Sequence, residues 1–146
     1  MPSNMSVVLG TSAPLASDLN LLLQLIVLVL LAFGYMSGKK KDAKSLATHG
    51  RIMTLATGLS ALGFLLVMVP SFVNYFTAPG VELFAGATII TSLHTLIGIF
   101  GGVLAIAFAL NKKPKNLVFW MRATLWLWVI NIVLGVVLYL QIAGVF

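Results

Sequence analysis

Four long apolar segments constrain the fold of this chain more than any other feature. They cover residues 19–37, 46–69, 87–110 and 117–140. Each is close to the ~20 apolar residues that a helix needs to cross the hydrocarbon core of a bilayer. Because backbone polar groups inside that core must be paired within the chain, and because the short alternating segments of a membrane barrel are absent, the segments are predicted to be helices. The sequence therefore predicts an all-α integral membrane protein, a four-helix bundle of up-down-up-down topology.

The composition agrees with a lipid environment. Hydrophobic residues make up 60% of the 146 residues and charged residues only 8%, whereas a soluble domain carries about 25% charged residues. A soluble fold of this size could not bury so much apolar surface, so we expect the lipid bilayer to surround most of the chain. A single domain is expected over residues 18–146, preceded by an exposed polar tail over residues 1–17.

The positions of the basic residues predict the orientation in the membrane. All nine Lys and Arg residues lie in or beside two short loops, residues 38–45 and 111–116. Short basic loops are typically cytoplasmic, so we expect a prokaryotic plasma membrane protein with both loops inside and both termini outside. The net charge of +6 is assigned to lipid head groups and not to nucleic acid. The lipid-facing basic cluster consists of Lys39, Lys40, Lys41, Arg51, Lys112, Lys113, Lys115 and Arg122.

A layer of uncharged polar residues is expected in the outer half of the bundle. At ~1.5 Å of rise per residue from the cytoplasmic helix ends, Asn20, Gln24, His94 and Asn131 all fall roughly 20–26 Å deep. Polar side chains at such depth are costly in lipid and are candidates for function. For His94, the structural alternative is a neutral imidazole bonded to Asn131, Gln24 or Thr91 that holds helices together. The functional alternative is contact with a metal, a haem or a quinone.

A second layer is expected at the cytoplasmic face. His49 lies only ~5 Å deep, and Met53, four residues further on, shares its helix face. The candidate cofactor-binding residues are therefore His94, His49 and Met53, with His94 as the candidate metal ligand. One haem between the two histidines is not expected, because the rings are about 19 Å apart along the membrane normal, and Met68 lies too high by the same count to assist His94. The alternative for His49 is an interfacial cluster with the neighbouring arginines at the lipid head groups.

The sequence disfavours several classes of function. There is no cysteine, which excludes thiolate metal sites and cysteine nucleophiles. Asp18 and Glu82 are expected outside the spans, on the outer side, so no span is expected to contain a carboxylate, which disfavours a proton relay or a cation-coupled transporter. No nucleophile–base pair, HExxH motif or phosphate-cradling loop occurs. The chain is therefore not expected to be an enzyme.

Four stretches of sequence carry a family resemblance that covers roughly residues 18–140. They are LNLLLQLIVLVLLAFGYMSGKKK, HGRIMTLATGLSALGFLLVMV, TIITSLHTLIG and RATLWLWVINIVLGVVLY. In order and spacing they resemble the CtaM-like family of small four-helix membrane proteins. The matching positions are Asn20, Gly34, Tyr35, His49, Met53, Ser92, His94, Arg122, Trp126, Gly135 and Tyr139. The stretches LVMVPSFVNYF and KNLVFWMRATLW lack two histidines of the four that are common in the family.

The resemblance implies a role in the assembly of a haem–copper oxidase, with oxidase subunits as partners. It also implies that the chain handles haem or copper. Of the four histidines common in the family, only His49 and His94 are present in this sequence. One alternative is a structural subunit of a larger respiratory or other membrane complex, with no ligand of its own. A further alternative is a b-type cytochrome that carries electrons.

Overall fold

Four helices make up nearly all of the described chain. The structure, a computed structural model, describes residues 9, 13–40, 42–82, 85–112 and 114–145. The helices are α1 (Leu15–Lys39), α2 (Ala43–Thr77), α3 (Gly86–Ala109) and α4 (Leu117–Ile142). Each is long and apolar enough to cross a membrane, and the described residues contain no strand. The predicted all-α four-helix bundle is therefore confirmed.

The helices form two antiparallel hairpins that pack side by side. α1 packs along α2 and α3 along α4, and the hairpins meet through α2–α3 and α1–α4 contacts. A small core lies between them, formed by Val27, Leu31, Ala56, Ala105, Trp128 and Ile132. Most large hydrophobic side chains face outward instead. This distribution is expected where lipid, and not water, covers the outside of the bundle.

The second helix does not end at residue 69, so the predicted end of the span 46–69 is wrong. The helix continues through Pro70, and residues 71–77, which lie beyond the predicted span, complete α2. A π-turn, Phe64–Met68, precedes the proline, and the Val69 N–H donates to the Phe64 carbonyl across it. A proline ring clashes with the preceding turn of a regular helix. The wider π-turn gives that ring room, so the helix continues through it.

The remaining boundaries shift by a few residues. The first helix begins at Leu15 instead of residue 19. Ala13, immediately before it, is fully buried, so the end of the predicted exposed tail, residues 1–17, belongs to the bundle. Most of that tail, residues 1–8 and 10–12, lies outside the described residues. At the other helix ends the spans extend to Lys39, Ala43, Gly86 and Ile142, and α3 stops one residue short, at Ala109.

Short turns join the helices of each hairpin at one end of the bundle, which we call the basic end. Asp42 caps α2, because its carboxylate accepts a 2.8 Å hydrogen bond from the Ser45 N–H. Hydrogen bonds from the Ser45 side chain and backbone hold the pKa of the Asp42 carboxyl below its usual value. Asn111 ends α3 with a φ of 58°, a left-handed conformation that asparagine tolerates well.

Candidate functional site

The four residues of the predicted polar layer line one cavity, which we call the polar cavity. Asn20 and Gln24 reach it from α1, His94 from α3 and Asn131 from α4. Its volume is about 340 Å³, within the ~300–1,000 Å³ typical of small-molecule sites. It lies in the half of the bundle away from the basic end. Among the described residues, no Lys, Arg, Asp or Glu lines it, so the cavity is polar but uncharged.

The ring of His94 is fixed by α4. Its Nδ1 lies 3.0 Å from the backbone carbonyl oxygen of Asn131. Because a carbonyl oxygen only accepts, Nδ1 of the neutral ring carries the proton and Nε2 keeps a lone pair. The ring lies against Gly135, where a β-carbon would come within 3.1 Å of the His94 Cε1. The result is one tautomer in one orientation, with Nε2 making no hydrogen bond to a described residue.

Three buried amide atoms of the layer have no hydrogen-bond partner among the described residues. They are Asn20 Oδ1, Gln24 Nε2 and Asn131 Oδ1, and Asn131 as a whole is only 8% exposed. A β-carbon at Gly63 would lie 2.8 Å from the Asn20 Oδ1, so this glycine makes room for the α1 amides. A buried polar atom without a partner costs ~1–3 kcal/mol. A ligand or water in the cavity would offset that cost.

An apolar groove of about 460 Å³ adjoins the polar cavity. The two spaces share Met68, Phe72, His94 and Thr95. At the edge of the groove Leu96 is 65% exposed, so the groove reaches the lipid-facing surface. The other residues that line it are Phe64, Val69, Phe76, Ser92, Gly98 and Ile99. The polar cavity is thus connected to the bilayer through an apolar passage.

The position of Met68 corrects the depth count made from the sequence. That count placed Met68 too high to lie beside His94, yet both residues line the cavity and the groove. Met68 is the last residue of the π-turn. Met68 therefore lies within reach of the space beside His94.

A buried carboxylate is hydrogen-bonded to a residue that lines the polar cavity, and the prediction that no span contains a carboxylate is wrong. Asp18 is fully buried, with 0% exposed, because α1 begins at Leu15 and therefore includes it. Tyr139 donates to the Asp18 Oδ1 at 2.7 Å, and the Leu9 N–H donates to its Oδ2 at 3.2 Å. Tyr139 also lines the cavity. The pair joins α1 to α4. Because a span does contain a carboxylate, a proton relay is no longer disfavoured on that ground.

Replacing Tyr139 by phenylalanine is expected to destabilise the bundle by about 1–3 kcal/mol, the cost of removing a hydrogen-bond partner from a buried polar group. The free energy of unfolding can be measured by circular dichroism during titration of the micelle-bound protein with dodecyl sulfate. Tyr35→Phe is the matched control, because Tyr35 is 45% exposed. Unchanged stability in Tyr139→Phe would show that the hydroxyl contributes nothing.

At the basic end, His49 repeats the arrangement of His94. Its Nδ1 lies 2.7 Å from the Gly34 carbonyl oxygen, and a β-carbon at Gly38 would come within 3.0 Å of that nitrogen. In both cases a histidine bonds a carbonyl of the facing helix and lies over the glycine four residues further on. Met53 packs against Gly34, as the shared face of His49 and Met53 predicts. Neither His49 nor Met53 lines the polar cavity or the groove.

The residues present do not fit a resident metal ion. Among the described residues, no group of three or more His, Cys, Asp or Glu could hold one. Met68 is the only other soft donor that lines the space beside His94. Two protein donors are fewer than the three or four that stable zinc sites use, so His94 alone is a weak candidate for a metal ligand.

A resident haem fits equally poorly. Gly34, which binds His49, lies ten residues along α1 from Gln24 of the polar layer, about 15 Å of helix rise. One haem therefore cannot be held by both histidines. No Lys or Arg of the described residues lines the polar cavity, so nothing there would pair with the carboxylates of a haem.

The predicted basic cluster is exposed wherever it is described. Its described members are Lys39, Lys40, Arg51, Lys112, Lys115 and Arg122; Lys41 and Lys113 lie outside the described residues. The Lys39 ammonium lies 4.7 Å from the centre of the Tyr35 ring. Exposed cations beside an aromatic ring are typical of a membrane–water interface.

Fold and site together define a small four-helix membrane protein with an uncharged polar cavity that is open to lipid. Comparison of the chain with family models, with curated proteins and with solved structures found no match.

Proposed function

We propose that this chain is a small accessory protein that supports the assembly of a haem–copper oxidase and catalyses no reaction of its own. The resemblance of its four spans to the CtaM-like family supports this role. The observation that carries the proposal is the state of His94, which is fixed by Asn131 and keeps a free nitrogen in a cavity connected to lipid. Such a site suits a protein that holds a membrane-soluble group for partner oxidase subunits.

The proposal includes an orientation in the prokaryotic plasma membrane. Loops 38–45 and 111–116 lie in the cytoplasm, and both termini lie outside, because short basic loops are retained on the cytoplasmic side. The exposure of every described member of the basic cluster at one end of the bundle supports this assignment. The polar cavity then opens within the outer leaflet.

Deleting the chain from its host is expected to remove most of the oxidase haem signal from the membranes. The reduced-minus-oxidised absorption spectrum of isolated membranes measures that signal, and re-expression of the chain should restore it. The b-type cytochromes of other complexes serve as the internal control and should not change. A normal oxidase spectrum with normal oxygen consumption in the deletion strain would contradict the proposal.

A second candidate function is a structural subunit of a larger membrane complex, and the outward face of α2 favours it. Gly50 and Gly58 are exposed there, and a β-carbon at either would meet no described residue within 4 Å. Thr54 lies between them and is exposed as well. Small residues at this spacing let a partner helix approach closely in lipid. Co-purification with other subunits at a fixed ratio, lost in Gly58→Leu, would favour the subunit over a transient assembly factor.

A further inference from the structure

We propose that the polar cavity and the apolar groove together bind an isoprenoid hydroquinone, with the ring in the cavity and the tail in the groove. This inference rests on the proposed function in placing the site at His94, and it adds the chemical class of the ligand. It concerns binding alone and assigns no electron transfer to this chain.

The free polar atoms of the cavity call for a ligand with hydroxyl donors. His94 Nε2 offers a lone pair, because Nδ1 donates to the Asn131 carbonyl. Asn131 Oδ1 and Asn20 Oδ1 are buried acceptors with no partner among the described residues. Asn131 is itself more than nine-tenths buried, with 8% of its surface exposed. Each of these atoms would gain a hydrogen bond from a phenolic hydroxyl.

The cavity has acceptors on two walls, which favours a head group with two hydroxyls over one with a single hydroxyl. His94 and Asn131 supply acceptors on the wall from α3 and α4, and Asn20 supplies one on the wall from α1. Beside Asn20, Gln24 Nε2 is a buried donor that can bond to the oxygen of a hydroxyl. A hydroquinone carries its hydroxyls at opposite ends of a flat ring. Such a ring can donate to both walls at once, whereas a fatty alcohol or a diacylglycerol can satisfy only one.

The absence of charge along the cavity selects against ionic head groups. No Lys or Arg of the described residues lines it. A phospholipid phosphate or a haem carboxylate placed there would be buried without a counter-ion, which is strongly unfavourable. An uncharged ring avoids that penalty.

The groove provides for a long apolar tail. Its walls carry three phenylalanines, Phe64, Phe72 and Phe76, and the exposed Leu96 and Ile99 lie at its edge. The groove meets the cavity at Met68 and His94, so a chain that leaves the ring can pass directly into lipid. The π-turn supplies Phe64 and Met68 to this wall, and such turns are frequent at functional sites.

The test measures binding to the purified full chain in phosphatidylcholine nanodiscs. Decyl-ubiquinol is titrated under reducing, oxygen-free conditions, and the amount bound per chain is determined against empty nanodiscs. We expect saturable binding to the wild type. Because a polar site rejects an analogue that lacks the group it binds, oxidised decyl-ubiquinone should bind about tenfold more weakly. This comparison uses only the wild type and so does not depend on the folding of any variant.

Two variants and one control locate the site. His94→Ala and Asn131→Leu should each weaken ubiquinol binding by about tenfold, the effect of losing one hydrogen bond of ~1.4 kcal/mol. His49→Ala, which changes the same kind of contact outside the cavity, should bind like the wild type. No binding above that of empty nanodiscs, equal affinity for both redox forms, or equal weakening by His49→Ala would each overturn the proposal.

The result is separable from that of the oxidase experiment. A chain that restores the oxidase but binds no ubiquinol overturns this inference and leaves the proposed function intact. A chain that binds ubiquinol but does not restore the oxidase overturns the proposed function and supports the hydroquinone site.

Discussion

Replacing Gly63 by leucine is expected to destabilise the four-helix bundle by about 1–3 kcal/mol, the usual cost of overpacking a tight contact. A β-carbon at Gly63 would lie 2.8 Å from the Asn20 Oδ1, 3.1 Å from the Leu23 Cδ2 and 3.2 Å from the Gln24 Nε2. These atoms belong to α1, so the leucine side chain would force α1 and α2 apart. Unfolding in mixed micelles with dodecyl sulfate, followed by circular dichroism, measures the loss.

Gly58→Leu is the matched control for this change. It lies on the same helix, receives the same side chain and gains the same helix propensity. No atom of the described residues lies within 4 Å of a β-carbon at this position, so the purified variant should be as stable as the wild type. If both variants lost stability equally, the close approach of α1 to Gly63 would be disproved.

Replacing His94 by alanine is expected to reduce the oxidase activity that the chain supports by about tenfold or more, since one lost ligand contact of ~1.4 kcal/mol corresponds to that factor. The change removes Nε2, which makes no hydrogen bond to a described residue, and leaves a void against Gly135. Oxygen consumption by membranes of the complemented deletion strain measures the effect, with the abundance of the chain determined by immunoblot to separate function from folding.

His49→Ala provides the comparison for His94→Ala. His49 makes the same kind of contact, a 2.7 Å hydrogen bond from Nδ1 to a carbonyl of the facing helix, but it lies outside both the cavity and the groove. We expect its loss to lower stability slightly and to leave oxidase activity within about twofold of the wild type. Equal tolerance of the two substitutions would argue that neither histidine handles a ligand.

The number of helices and the membership of the polar layer could be predicted from the sequence. Each span is an uninterrupted apolar run of the length that a bilayer needs, so its identity does not depend on tertiary contacts. The depth of each polar residue follows from the rise per residue along a regular helix. That depth correctly groups four residues, which all line one cavity: Asn20, Gln24, His94 and Asn131.

The same counting failed where the helix geometry is not regular. The π-turn before Pro70 has no distinctive sequence signal, so the sequence predicts that α2 stops at residue 69, whereas the helix continues to Thr77. Asp18 was missed because a carboxylate near a helix start is normally solvated. Asp18 is hydrogen-bonded to Tyr139, which lies 121 positions further along the chain. No local sequence pattern predicts a pairing over that distance. The repeated carbonyl-and-glycine spacing, Gly34 with Gly38 and Asn131 with Gly135, is the signal that could have located both histidine contacts.

The placement of the two histidine contacts has a consequence for biogenesis. His49 bonds α2 to α1, and His94 bonds α3 to α4, so each contact lies within one hairpin. The first hairpin can therefore reach its native pairing in the bilayer while the ribosome is still making the second. Residues of both hairpins line the polar cavity around His94. The hydrogen bond between Asp18 and Tyr139 also joins the two hairpins. Only the complete chain can therefore form the proposed hydroquinone site, and a truncated product with one hairpin is expected to insert into the membrane without it.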